Sequence, residues 1–384
     1  MKNLLIAGFA AILCMPVKIS AQTAPQVPAN FGTWETFTTF NNKSLSPELR
    51  GRLCNVQWKQ IEQEHSVFTW DALDTVLYRT ANDSLPLIFM VYTKEDAPDW
   101  LYTTGGVPKV IERNENGDSI GYAPYYIDTN YREYFSEMVI RVKEHVDSLP
   151  WNVRQWIIGV QPCFGATGDY ISYKGIVDPQ YALTSQQFLS LFKEFTLDYY
   201  HEYRNTEPKI TMLSNPLNQG ENQSNWLEEN CPGGWIKTGS LGKAYQLNDE
   251  LDKSMWLLDF LNTPRDGEYI RARSEIGGDG LTSGWWNACV YKNVFAVLAN
   301  CIFWGVDWSN QNYDMIDDPN LDPAYFFFNR YAGQKNPSTS TNAMCALKDA
   351  LDAADTERFP ENNFGKAKRK KNSRYISILD SSTA

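Results

Sequence analysis

Apolar runs of strand length alternate along this chain with stretches whose apolar residues recur every three or four positions. The strand-like runs fall at 31–37, 52–58, 85–93, 155–161, 209–214, 235–241, 269–276 and 301–308. Helical periodicity falls between or after them at 70–81, 130–146, 185–203, 249–261, 284–299 and 342–355. In the second of these, Tyr131, Phe135, Met138, Val139 and Val142 share one face with charges opposite, as an amphipathic helix against a core requires. Strands that alternate with crossover helices build a parallel sheet. Eight of them fit a closed (β/α)8 TIM barrel better than an open sheet, and a chain of 384 residues can be a single domain in that fold.

Two segments break the alternation. The stretch 95–128 holds Gly, Pro and Asn and is too long for a simple turn between strand and helix; loops of that length on a barrel wall a binding cleft. Residues 1–21 (MKNLLIAGFAAILCMPVKISA) carry an early Lys, a short apolar stretch and a small residue before Gln22, the pattern of a secretory leader and too short for a membrane span. The expected organisation is a leader over 1–21, a barrel over 22–355 and a tail over 356–384. That basic, then strand-like tail reads as a disordered terminus or as the start of an accessory β domain.

Charge narrows the partners. The formal net charge is -11, and loss of the leader removes Lys2 and Lys18 but no acid, giving −13. So acidic a chain argues against nucleic acid or an anionic membrane, and no stretch outside the leader is apolar and long enough to span a bilayer. The expected location is secreted or periplasmic. Six cysteines remain after processing, Cys54, Cys163, Cys231, Cys289, Cys301 and Cys345, scattered like core residues rather than as a disulfide framework. With no CxxC and three dispersed histidines, no metal site is visible. The pattern leaves oligomeric state open.

Active sites of such barrels sit at the C-terminal ends of the strands. The fourth predicted strand opens into GVQPCFGATGD, a Gly-rich loop with one carboxylate, Asp169. The seventh opens into RARSEIGG, where Glu275 precedes two glycines that let backbone and substrate approach. Glu275 reads either as a reacting carboxylate or as the ion-pair partner of Arg271 or Arg273 on its own strand face. Asp169 reads as an acid over the cleft or as turn chemistry. Glu62, Glu95, Asp99 and Asp307 are reserve acids, with Asp307 placed at the end of the eighth predicted strand.

Thirteen Trp stand beside 21 Tyr and 19 Phe. Sugar rings stack their apolar faces on such side chains while amides bond the hydroxyls. Trp58, Trp285, Trp304 and Trp308 are the aromatic candidates, Trp304 and Trp308 foremost, with Gln161, Asn215 and Asn310 as amides. Core packing is the competing reading for each Trp.

The segment VQWKQIEQEHSVFTWDALDTVLYRTA resembles a recurring passage of clan A glycoside hydrolases, in particular the β-galactosidase and agarase-like families. The matching residues are Trp58, Glu62, Phe68, Trp70, Leu73 and Asp74. The following LIFMVYTKEDAPDWL is similar to the strand and P-x-W-L step of the same enzymes, and the likeness runs over residues 50–310. It implies a general acid/base after strand four, a nucleophile after strand seven, an oligo- or polysaccharide substrate with a β-linked galactose or related sugar, and no cofactor. Glu275 falls in the nucleophile slot. The Asn-Glu of those families is absent from strand four: the nearest positions are Phe164 and Gly165 after Cys163. Either the acid has moved to Asp169, or the barrel binds sugar without efficient hydrolysis.

Overall fold

A computed structural model describes residues 30–38, 46–165, 171–215, 221–238, 259–275, 294, 297–298, 301–302 and 304–335 of the chain. Its barrel strands are β1 (Gly32–Thr38), β2 (Gly51–Gln57), β5 (Leu87–Tyr92), β8 (Ile157–Val160), β9 (Thr211–Ser214), β10 (Trp235–Lys237), β11 (Ala272–Glu275) and β12 (Trp308–Gln311). Each is paired parallel to its neighbours, and β1 pairs with both β2 and β12, closing the eight strands into a ring. The chain is therefore a (β/α)8 barrel. Two short antiparallel pairs decorate it, β3 (Glu62–Glu64) with β4 (Val67–Phe68), and β6 (Lys109–Arg113) with β7 (Ser119–Pro124).

Local sequence accounts for the helices that flank the ring. Among the described residues, α1 (Trp58–Ile61) and α4 (Trp151–Arg154) are short, while α2 (Asp71–Asn82), α3 (Thr129–Ser148) and α5 (Ser185–Tyr203) each bury one stripe. Asp128 caps α3 by accepting from the Tyr131 amide. Thr184 and Gln187 form a reciprocal capping box that fixes the first residue of α5. The buried stripes meet: Phe135 of α3 packs on Phe195 of α5 at 4.2 Å between ring centroids.

Inside the ring the lower layer is aromatic. Trp34, Trp235 and Trp308 point inward and touch, with centroids 4.7 Å apart for Trp235–Trp308 and 5.9 Å for Trp34–Trp308. Two strands make room for them. A Cβ on Gly51 would lie 2.3 Å from the Trp34 ring, and one on Gly159 would lie 2.9 Å from Ile88 and 3.2 Å from Trp235. Such interiors are packed cores rather than pores, so these rings fill the barrel.

The eighth strand is not where hydrophobicity places it. Residues 301–302 and 304 are helical, Gly305 turns the chain at φ 72°, and the strand begins only at Trp308. The apolar run 301–308 is thus the end of a helix and the turn into the sheet. The strand itself, WSNQ, is polar yet fully buried, because it faces other strands and a polar barrel mouth. The stretch 95–128 is also more than a loop: it contains a 3-10 turn at Asp99–Leu101 and the β6–β7 hairpin. Of the predicted helices, 342–355 lies outside the described residues, as do most of 249–261 and 284–299, the leader and the tail.

Candidate active site at the C-terminal mouth

Glu275 ends β11 and stands at the C-terminal mouth, its side chain 37% exposed. Two cations converge on one of its oxygens. Lys237 Nζ, at the end of β10, lies 2.9 Å from Oε2, and Arg273 Nη1 lies 3.3 Å from the same atom. Strand pairing explains the meeting: Lys237 and Arg273 are register partners, and Glu275 follows Arg273 by two residues, so all three share the inner face. Burial alone would raise the Glu275 carboxyl, but Lys237 and Arg273 outweigh it and hold the pKa at about 2. The group is a carboxylate at any physiological pH.

The cluster reaches across the barrel. Arg273, fully buried, donates from Nη2 to Gln161 Oε1 at 2.7 Å. Gln161 is the residue after β8, so the ends of the fourth and seventh barrel strands are joined through the interior. Asn215, the residue after β9, is buried at the same mouth. Asn310 of β12 is the register partner of Glu275 and is fully buried, with neither amide atom bonded to a described residue. A buried amide left without a partner costs roughly 1–3 kcal/mol.

Several sequence-predicted residues lie elsewhere. Asp307 precedes β12 and so sits at the N-terminal end of the barrel, opposite the mouth. Its carboxylate accepts from the Ala272 amide at 2.7 Å and pairs with Arg271 and Lys335 at 3.1 and 3.2 Å. Arg271 is thereby engaged at the far end and does not pair with Glu275. Trp308 belongs to the aromatic plug and Trp304 is 5% exposed in the preceding helix; neither presents a ring face to a cleft. Trp58 is fully buried against Trp100, Tyr131 and Phe135, and its indole donates to Glu62 at 2.6 Å. Glu62 also accepts from the Ser66 amide at 2.9 Å, and burial lifts its pKa to about 7. Trp70 stacks on His145 at 4.3 Å while Asp74 bonds the same imidazole at 2.7 Å. The passage from Trp58 to Asp74 thus builds the corner between β2 and α2, with Trp58, Glu62, Trp70 and Asp74 engaged in its packing and hydrogen bonds. Asp169 and Trp285 lie outside the described residues.

The wall of the mouth is anchored by a second buried ion pair. Lys94, two residues beyond β5, meets Glu112 of the hairpin at 2.5 Å, with side chains 5% and 0% exposed. Glu112 also accepts from the Lys174 amide at 2.7 Å, Arg113 and Ile176 exchange backbone hydrogen bonds at 2.8 Å, and Tyr126 stacks on Tyr173. The hairpin therefore holds the second half of the loop that follows β8, the loop containing Asp169. Lys237 and this clamp escaped the sequence reading. The predicted strand 235–241 set Lys237 mid-strand, whereas the strand stops at that residue. The hairpin had a local signal in NENGD between alternating segments.

Among the described residues no group of three or more His, Cys, Asp or Glu is arranged to hold a metal, and no helix is long and apolar enough to cross a membrane. Cys54, Cys163, Cys231 and Cys301 are buried.

No protein-family model matches the chain. No curated protein matches it in sequence. Among solved structures it is similar to a beta-galactosidase from the psychrophilic Marinomonas ef1, at 12% identity and a TM-score of 0.45, with 85% of this chain and 60% of that one covered. The chain thus spans about 60% of the length of that enzyme, and its own barrel is established by the strand pairing.

Proposed function

We propose that this chain is an exported glycoside hydrolase that cleaves a β-linked galactoside or related polysaccharide with retention, Glu275 acting as nucleophile and Asp169 as general acid/base. The observation that carries the reading is the Glu275 carboxylate: partly open at the C-terminal end of the seventh barrel strand and held ionised by Lys237 and Arg273. Retaining hydrolysis needs one ionised carboxylate for attack and one protonated carboxyl for the leaving oxygen, about 5–5.5 Å apart. It needs no cofactor, since both roles fall to carboxyl groups. Asn310, Asn215 and Gln161 supply amide chemistry suited to sugar hydroxyls. The galactoside assignment rests on the family resemblance of residues 50–310 alone, and export rests on the leader pattern.

A 2-deoxy-2-fluoro-β-galactosyl fluoride tests the reading, because it forms a glycosyl ester that hydrolyses slowly enough to map. We expect the adduct on the peptide containing Glu275 and loss of both adduct and turnover in Glu275→Gln. Turnover of a 2,4-dinitrophenyl β-galactoside with the adduct on another residue would sink the assignment.

A second reading has its own observation. The residues directly after β8 are Gln161, Pro162, Cys163, Phe164 and Gly165, all buried and none able to donate a proton to a glycosidic oxygen. They favour a carbohydrate-binding barrel without turnover. Calorimetric binding of galactan or agar oligosaccharides, with no hydrolysis across a panel of β-glycosides and algal and plant polysaccharides, would select it.

A further inference from the structure

We infer that Lys237 is the positioning residue of the reacting carboxylate: with Arg273 it occupies Glu275 Oε2 and so leaves Oε1 as the attacking atom. The inference rests on the nucleophile reading of Glu275 and adds to it a residue, an atom and a pH dependence.

The geometry divides the two oxygens of one carboxylate. Lys237 Nζ and Arg273 Nη1 both lie on Oε2, at 2.9 and 3.3 Å. Oε1 bonds none of the described residues, although the side chain is 37% exposed. Arg273 is fixed from behind by Gln161, so its fork is already directed when Lys237 adds the second contact. The charged groups facing Glu275 among the described residues are Lys237 from β10 and Arg273 from its own strand; β12 presents the neutral Asn310.

The chemistry uses that division. A lone pair on Oε1 forms the bond to the anomeric carbon as the glycosidic C–O bond breaks. The leaving oxygen takes the bonding pair, with a proton from the general acid when it needs one. A dinitrophenolate leaves without a proton, which isolates the Glu275 step from Asp169. Water then attacks the anomeric carbon of the ester, one of its protons passes to the acid/base, and Oε1 recovers its pair. An ammonium suits the post at Oε2 because it is a compact point charge, whereas a guanidinium can fork onto both oxygens of a carboxylate.

The test is the pH profile of kcat/KM on 2,4-dinitrophenyl β-galactoside for the full chain and for Lys237→Met and Lys237→Arg, with thermal melting to establish folding. Losing one adjacent opposite charge moves a carboxyl up by about one to three pH units, so Lys237→Met should raise the acid limb by that amount. Lys237→Arg should return the limb to its original place yet keep kcat low, because its fork competes for Oε1. An unmoved limb in folded Lys237→Met, while the fluorosugar adduct still maps to Glu275, overturns this inference and leaves the nucleophile reading intact. If no adduct forms at Glu275, the nucleophile reading falls on its own. The 13C titration of the Glu275 carboxyl, assigned by its loss in Glu275→Gln, then reads the same linkage: a rise in Lys237→Met upholds the positioning contact and an unchanged value overturns it.

Discussion

Gln161 Oε1 accepts from Arg273 Nη2 at 2.7 Å, a hydrogen bond that joins the end of the fourth barrel strand to the interior of the seventh. Both residues are buried, at 1% and 0% exposure, so the guanidinium cannot exchange this acceptor for water without rearrangement. Gln161→Leu should destabilise the fold by about 1–3 kcal/mol, the penalty for removing the partner of a buried donor. Urea unfolding measures it. A midpoint unchanged from the parent would mean that Arg273 finds another acceptor at no loss.

Trp308 fills the barrel between Trp34, Trp235 and Phe31. Trp308→Ala should lose about 3–5 kcal/mol, as large core aromatics do when a cavity replaces them, while the folded fraction keeps its affinity for oligosaccharide. Equilibrium unfolding gives the first number and calorimetry below the transition gives the second. A large affinity loss with little destabilisation would restore Trp308 to the cleft.

The fold and the mouth were legible in the sequence to different depths. LIFMVY reads as a strand buried on both faces, and SQQFLSLFKEFTLDYYHEY declares its cap and its stripe, so these elements stand where the pattern puts them. WSNQ does not look like a buried strand. Ser309 and Gln311 are buried there because Ser309 bonds both Gln311 and Ser274 inside the barrel, a tertiary condition that hydropathy does not encode. The misplacement of the eighth strand carried Asp307, Trp304 and Trp308 to the wrong end of the molecule. Glu275 stands at a strand end, where the alternation of RARSE places it, because that alternation is a local signal. Lys237 carries no local signal, because its contacts arise from register with Arg273 on the next barrel strand.

Lys94 and Glu112 form a buried pair that ties the β6–β7 hairpin to the barrel. Removing one partner of such a pair typically costs about 3–5 kcal/mol, because the other charge is left buried. Lys94→Met and Glu112→Leu should each approach that range, and the double variant should be less destabilised than their sum. A double-mutant cycle by urea unfolding reads the coupling. Additive losses would show that the hairpin is held by its backbone contacts to Ile176 instead.

Glu62 gives a pH signature independent of catalysis. Burial raises its pKa from 4.5 to about 7, against the opposing bonds from Trp58 and Ser66. The folded carboxyl therefore holds its proton where the unfolded one has lost it. Its contribution is full below pH about 4.5 and is lost as pH rises through about 7. Relative to Glu62→Gln, the stability of the parent chain should fall across that window by up to about 3 kcal/mol. Parallel unfolding titrations from pH 4 to pH 8 check it, and a constant difference between the two proteins would show that Glu62 stays ionised.

Asp169 is separable from Glu275 by the leaving group. A general acid contributes where the departing oxygen is a poor leaving group, by about 100-fold to 10,000-fold, and contributes little to expulsion of a dinitrophenolate. Asp169→Asn should therefore nearly abolish kcat/KM on methyl or oligosaccharide β-galactosides while largely sparing kcat/KM on the dinitrophenyl substrate. Its second step would slow as well, because the same carboxylate takes the proton from water, so the glycosyl ester on Glu275 should accumulate and appear as a burst of dinitrophenolate. Added azide, which needs no base, should relieve that block and release a glycosyl azide of retained configuration. Loss of both substrates to the same extent, with no burst and no azide product, would return Asp169 to a turn residue and move the proton donor to another carboxyl.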